Sequence, residues 1–463
     1  MRILLLSPPY LTDYMRNARC DFVSLSASQW YPIWLGYAGS WLEHCGHEVK
    51  LLDAPSAHLD HAETERVVTD WRPDMLVVYA GQKSRINDLA IADRLTEKLN
   101  CISVLVGPYF SAKAKQFLAQ SQAVTYGVEG EFDYPLAELA AGYEPSAIKN
   151  LLYREGGEII QNPQRPYLTG EQLDKIPFVT RFFKNQLNLH NYKTISEHFP
   201  FVDLMSGRGC KWGQCTFCLW VHTFVTGKTY NLRSVENVVD EFAFVEKDLP
   251  EVRAIMIQDD MLTDDRGMDL ANLIIKRGIK ISWSCYARSN LSYETMKQMK
   301  LANCRNLHVG YESGDPQIIK NIRKGVTLEG MEEFTKNAKR AGLRIHGDFA
   351  LGFPGETPET AERTIKWAKK LNPHTAQFQL ANVLEGTPFY DACIQNGWLN
   401  DAGEPNYPNF PNEEIRAAAK RAYRAFYLSP QWALKCVRHP YENFIGRMKT
   451  MSVALPAMLW KKW

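Results

Sequence analysis

Three cysteines, Cys210, Cys215 and Cys218, stand close together in the stretch SGRGCKWGQCTFCLW. Thiols clustered this tightly are metal ligands far more often than buried hydrophobes. The spacing leaves two chemistries open. Zinc would take the three thiolates with His222 as a closed Cys3His site. An iron–sulfur cluster would take the three thiolates and leave one iron free to bind and reduce a substrate. Gly207, Gly209 and Gly213 would let the backbone fold tightly around the bound object. The other seven of the ten cysteines are scattered, and most read as small buried hydrophobes.

The elements that must position this loop are legible as alternating apolar strands and amphipathic helices. RILLLSPP, HEVKLLDAP, DMLVVYAG, ISVLVGP and AVTYGVEGE read as short buried strands, with helices such as WLGYAGSWLEHCG between them. That alternation predicts a doubly wound parallel sheet over residues 1–145. Ligands of such sheets bind beyond the carboxyl ends of the strands. Those ends are Ser7-Pro8-Pro9, Gly81 to Ser84, Gly107-Pro108 and Gly127 to Glu131, which suit a flat polar ligand laid against backbone. Residues 146–195 read as a connector with a small hairpin. Strands then restart at FVDLMSG, RAIMIQ, KISWSC, NLHVGY, RIHGDFALG and TAQFQLANV, six units that predict an open six-fold βα barrel over 196–395. The cysteine loop follows the first barrel strand, at the end where barrel active sites are built. Residues 396–463 read as a helical cap with a basic face, or as an interfacial segment ending in Trp460-Lys-Lys-Trp463 that touches a membrane.

Composition narrows the class. The chain has 463 residues, 45% hydrophobic and 23% charged, with net charge +2. That size predicts two or three domains, and the charge offers no global attraction to nucleic acid. MRILLLSPPY is too short an apolar run for a signal peptide, and no run of about 18 apolar residues could span a membrane. The expected location is therefore cytoplasmic, or peripheral at the inner face of the membrane, with reduced cysteines.

The cysteine loop resembles that of the radical S-adenosylmethionine (SAM) superfamily, usually C-x3-C-x2-C with an aromatic before the last cysteine. Phe217 is that aromatic, and one extra residue separates Cys210 from Cys215. The resemblance implies a [4Fe–4S] cluster on the three cysteines, with the SAM amino and carboxylate groups completing the open iron. It extends along the barrel. IMIQDDMLTDD supplies Gln258, Asp259 and Asp260 as candidates for the SAM amino group, and WSCYARSN supplies Arg288 for its carboxylate. HVGYESGD places Glu312 and Ser313 for the ribose hydroxyls, and GDFALGFPGET places backbone from Gly347 to Gly352 against adenine. Taken singly, the aspartates could cap a helix and Glu312 could be a surface charge. Their order after the cysteine loop makes coincidence a poor account.

A doubly wound domain ahead of such a barrel resembles the cobalamin-binding-domain class of that superfamily. WYPIWLGYAG, LDAP, GYESGDPQIIKNIRKGVT and IHGDFALGFPGET are most similar to hopanoid-biosynthesis-associated members, and more distantly to anaerobic magnesium-protoporphyrin ester cyclases. Cobalamin would lie at the strand ends of the first sheet, with Ser84, Gly107, Gly127 and Glu129 as contacts. No D-x-H-x-x-G segment is present, so no protein histidine is expected on cobalt. The implied chemistry is reductive cleavage of SAM and hydrogen abstraction from an unactivated carbon, with Tyr286, Tyr311 and Asp348 touching the substrate. Reduced flavodoxin or ferredoxin would supply the electron. Three functions compete: methyl transfer through cobalamin, which the class favours; radical rearrangement, cyclisation or C–C coupling; and a non-catalytic zinc or cobalamin binding module. The substrate is expected to be a large apolar or amphiphilic molecule, such as a polycyclic lipid or other natural product.

Overall fold

The computed structural model describes residues 1–16, 21–24 and 28–438. Its first sheet is built on β1 (Arg2–Ser7), whose residues from Ile3 to Leu6 are fully buried. Ile3 and Leu5 enter one apolar layer, Leu4 and Leu6 the other. A strand covered on both faces reads as an unbroken apolar run, which is why it stands out in the sequence. Its parallel companions are β2 (Glu48–Asp53), β3 (Met75–Tyr79), β4 (Ile102–Val106) and β5 (Tyr126–Val128), in the order β2-β1-β3-β4-β5. The hairpin expected in the connector, β6 (Leu151–Glu155) and β7 (Glu158–Gln161), adds to this sheet antiparallel to β5. The first sheet thus runs on past residue 145, because pairing with Val128 and Gly127 buries Leu151 and Leu152 completely.

The connector then clamps the first helix. Helix Val179–Gln186 lays Phe182 and Phe183 against helix Ile33–His44. A Cβ on Gly36 would overlap the Phe183 ring, and one on Gly39 the Phe182 ring. The small-residue face of WLGYAGSWL is therefore a socket for two phenylalanines.

The second sheet holds six parallel strands in chain order: β8 (Phe201–Leu204), β9 (Ala254–Leu262), β10 (Ser282–Ala287), β11 (Cys304–Glu312), β12 (Arg344–Leu351) and β13 (Thr375–Leu380). All six coincide with the strands expected from the sequence. Trp283, Tyr311 and Phe349 point outward into the helix layer, where Tyr311 and Phe349 stack and both meet Trp367 edge-on. Alternation along each strand sends Tyr286, His308, His346 and Asp348 the other way, into the barrel.

Helix Asn412–Tyr427 closes the far side of this sheet. Its Ala418, Ala419, Ala422, Tyr423 and Phe426 are buried, and the Tyr427 hydroxyl donates to the Ala376 carbonyl at 2.8 Å while accepting the Ala376 N–H at 3.0 Å. The tail from Arg447 to Trp463, expected as a cap or a membrane contact, lies outside the described residues. No described helix is long and apolar enough to cross a membrane.

The two sheets meet through their carboxyl edges. Beyond β13, the Glu385 carbonyl accepts from Gln82 at 3.5 Å, and its carboxylate lies 3.8 Å from Arg85. Gly386 abuts Ala112, and Gly130 abuts the Phe224 carbonyl. The strand ends that suit a flat ligand therefore face the loops at the barrel mouth.

Candidate active site

The cysteine loop leaves β8 and returns as a two-stranded ribbon, Gly207–Gly209 paired antiparallel with Tyr230–Leu232. The glycines serve that ribbon. Gly209 (φ +89°) and Gly213 (φ +60°) take left-handed backbone, and a Cβ on either would strike the Thr229 or Gly227 carbonyl. They let the loop close tightly on its own return strand. Backbone bonds pin the loop to the barrel: Thr216 N–H donates to the Ile322 carbonyl at 3.1 Å, and Phe389 N–H to the Thr216 carbonyl at 3.0 Å.

All three cysteines are half-buried at the mouth. Burial pushes the Cys218 thiol up to about 12, with Asp260 and Cys215 adding to the rise. Burial also raises Cys215, against the pull of Lys324 and Arg288. Thiols that resist ionisation in the protein alone become thiolate ligands only when a bound cation compensates their charge. A zinc ion would draw four donors to within about 4 Å of one another, given metal–ligand bonds near 2.0–2.3 Å. Among the described residues, three ligand-type donors come within 4.8 Å of one another only at His308, His346 and Asp348, not at the cysteines. His222 points its Nε2 at the Cys215 carbonyl, 3.0 Å away.

The expected SAM contacts divide into two groups. Asp260 acts electrostatically on Cys218 and so lies at the loop. Arg288 stacks over Trp212 at 4.7 Å and donates to the Lys324 carbonyl at 2.5 Å, beside Cys215. Glu312, at φ +63°, pairs with Lys324 at 2.6 Å, and the Lys324 ammonium lies 5.8 Å from the Phe217 ring. Gly310 leaves the space that this pair fills. Gly352 (φ +100°) turns the chain after β12, its N–H held by Glu356 and its carbonyl by Tyr407.

The other expected contacts belong to the scaffold. Asp259 takes N–H bonds from Ser206 at 2.6 Å and Gly207 at 3.1 Å as well as the Ser206 hydroxyl, so it clamps the loop entrance. Burial lifts its carboxyl to about 6. Gln258 donates to Asp203 at 3.1 Å. Ser313 shares its hydroxyl with Thr364 and the Asp315 N–H behind the strand. Gly347 points outward at Tyr311, Phe349 and Pro373, and Tyr311 ends on Thr335. Strand parity explains the last of these: odd positions of β11 face the helices, so the Tyr311 side chain cannot reach the lumen. Tyr286 and Asp348 do face it.

At the edge of the first sheet, Gly107 (φ +111°) brings backbone close to the Ala80 carbonyl. Glu129 is half-buried and accepts from Gln161 at 2.8 Å. Ser84 donates to Asp88 at 2.6 Å and accepts from Arg16 at 3.0 Å, inside a buried polar knot. Gly127 is a packing residue, since a Cβ there would overlap the Phe110 ring.

Sequence reasoning missed several charged residues. Arg208, one turn of loop before Cys210, is 2% exposed and bonds Glu131 at 2.8 Å and both oxygens of Asp133 at 2.8 and 3.0 Å. Its guanidinium also lies over Trp34 at 4.9 Å. Lys324 and Arg16 were missed too. The one available signal was an arginine inside the GRGC motif, facing the acidic GVEGEFD segment.

Residues 204–368 match the radical SAM superfamily, and residues 19–140 match the B12 binding domain. The chain is 29% identical to an uncharacterized methyltransferase of Pyrococcus horikoshii, over 96% of this chain and 97% of that protein. It is 25% identical to the cytidylyl-2-hydroxyethylphosphonate methyltransferase of Streptomyces wedmorensis, over 86% of this chain and 83% of that one. The fold is shared with the radical SAM methyltransferase TsrM of Kitasatospora setae, solved with cobalamin and a [4Fe–4S] cluster (TM-score 0.65, 18% identity, 92% of this chain and 85% of that one). This chain thus carries a B12 binding domain followed by a radical SAM domain, with the cysteine loop at the mouth of its six-stranded barrel, and it is an enzyme.

Proposed function

We propose that the protein transfers a methyl group to an unactivated carbon of an apolar, lipid-like or natural-product substrate. The observation that carries this reading is the shared crevice, with the cysteine loop on one wall and the carboxyl ends of β3, β4 and β5 on the other. When bound, the cofactors supply one-electron cleavage of SAM, a 5'-deoxyadenosyl radical and a transferable methyl group. The chain's own work is to bind, orient and exclude water. In this reading Asp260, Arg288 and the Glu312–Lys324 pair surround the polar groups of SAM. Backbone at Gly107 and the Glu129 carboxylate border the corrinoid. Tyr286 and Asp348 face the substrate from inside the barrel. Two full-length relatives that are methyltransferases support the reading.

The electron enters from reduced flavodoxin or ferredoxin. A surface groove on the outer side of the loop, lined by Trp212 with Lys320 and Arg323 against the single acid Glu329, supports this through its net positive charge. Peripheral membrane contact would belong to the tail, Arg447 to Trp463, and flotation with anionic liposomes of the whole chain against one ending near Phe444 tests it. The main test is anaerobic turnover with SAM, reductant and hydroxocobalamin. S-adenosylhomocysteine should form alongside 5'-deoxyadenosine. 5'-Deoxyadenosine without S-adenosylhomocysteine would sink methyl transfer and leave rearrangement, cyclisation or coupling.

A further inference from the structure

Deep in the barrel, four adjacent strands place polar side chains in one lateral row. The register pairs Tyr286 with His308, His308 with His346, and His346 with Thr375, while Asp348 stands one pleat nearer the mouth, opposite Gly310. By register Glu312 stands opposite Phe349, so Asp348 lies one residue below that level and His346 three residues below it, roughly 10 Å at the usual strand rise. His308 and His346 are 2% and 5% exposed.

We propose that His308, His346 and Asp348 bind a divalent first-row transition-metal ion, separate from the cysteine site. The three donor atoms lie within 4.8 Å of one another. Nitrogen and oxygen ligands bonded at 2.0–2.2 Å stand about 3–4.4 Å apart around one ion, so small side-chain adjustments complete the site.

The groups behind the ligands distinguish this arrangement from ordinary buried histidines. Glu197 accepts the Ser284 hydroxyl at 2.6 Å and lies 3.7 Å from Arg305, which holds it as a carboxylate. A carboxylate only accepts, so His308 Nε2, 2.9 Å away, must carry the proton. In the neutral ring, Nδ1 then presents a lone pair. Across the row, His346 Nδ1 is held by Thr375 Oγ1 at 2.7 Å, which turns Nε2 toward Asp348. The His346 Nε2 to Asp348 Oδ1 separation of 3.4 Å is longer than a good hydrogen bond, so the pair is not closed on itself. Imidazoles whose second nitrogen is fixed by a carboxylate or a hydroxyl are the arrangement that orients metal ligands. Two imidazoles and one carboxylate leave coordination positions open, and Asp348, whose side chain is 26% exposed, marks the lumen side.

The test uses the full chain, purified anaerobically with its cluster in place, so that the three loop thiolates are already occupied. Zinc(II) alone is titrated in, and bound zinc is counted against cluster iron by elemental analysis. One zinc per chain is expected. His346→Gln and Asp348→Asn should each weaken zinc at least 100-fold, and Glu197→Gln by 10- to 100-fold. Unchanged iron content and circular dichroism in each variant verify that the fold persists. Zinc binding unaffected by His346→Gln and Asp348→Asn, or no zinc retained by the wild type, overturns the proposal.

Discussion

Each loop cysteine has a single job, and loss of any one should abolish it. Cys210→Ala, Cys215→Ala and Cys218→Ala should each leave protein without a stable [4Fe–4S] cluster, read as lost iron, sulfide and visible absorbance. Any variant that kept full iron would remove that residue from the ligand set. Glu356 gives a prediction of a different kind. Its Oε2 accepts the Gly352 and Phe353 N–H groups, yet burial raises its carboxyl from the ordinary 4.5 to about 8. The native state therefore holds a proton that the unfolded chain releases above 4.5. That contribution to stability is complete below the unfolded value and is lost as pH rises through about 8. Glu356→Gln should flatten this decline, with melting temperatures at pH 5.5 and 8.5 differing less than in the wild type. At this scale the sequence was readable where chemistry clusters along the chain, as at the three cysteines. Lys324 and Glu312, or Glu197 and His308, become partners only when a loop folds against a strand, and nothing in the spacing of IRKGV or ISEHF announces it.

The strands were the most legible elements, because a run such as ILLL or AIMI buried on both faces has few alternatives. Parity within a strand was less so. Tyr311 sat in the right motif on the wrong face, since motif order fixes a strand's position but not which residues face inward. The short ribbon around the cysteine loop was invisible, because three-residue strands made of Gly-Arg-Gly carry no apolar pattern. Helix packing yields a sharp expectation at Gly39, where an added Cβ overlaps Phe182. Gly39→Ala should destabilise the protein by about 1–3 kcal/mol through overpacking, measured by denaturant melts of the apoprotein. Gly46 has the same residue type but nothing near it, so Gly46→Asn should cost far less despite its φ of +90°.

For the whole molecule, the matter is how two sheets share one crevice. The corrinoid expected at the first sheet should bind with no protein imidazole on cobalt, following the missing D-x-H-x-x-G segment. Electron paramagnetic resonance of the reduced cobalt form should then lack nitrogen splitting from a histidine, and its presence would contradict the reading. Arg208 gives the second prediction at this scale. Breaking a buried ion group by removing one partner costs about 3–5 kcal/mol, because Glu131 and Asp133 are left buried without their counter-ion. Arg208→Met should therefore lower the melting temperature, and Arg208→Lys should restore only part of it, since one ammonium cannot make the forked contacts.

The same arginine constrains how this protein came to be and how it is made. It lies two residues ahead of the first cysteine, yet its counter-charges come from a segment synthesised more than seventy residues earlier, at separations of 77 and 75 positions. A nascent barrel on its own would carry an unmatched cation at the root of its cysteine loop. In the folded protein the amino-terminal half supplies the counter-charges against which that loop is held. A barrel joined to a different amino-terminal half would keep that cation matched only where the new half placed two acids in the same positions.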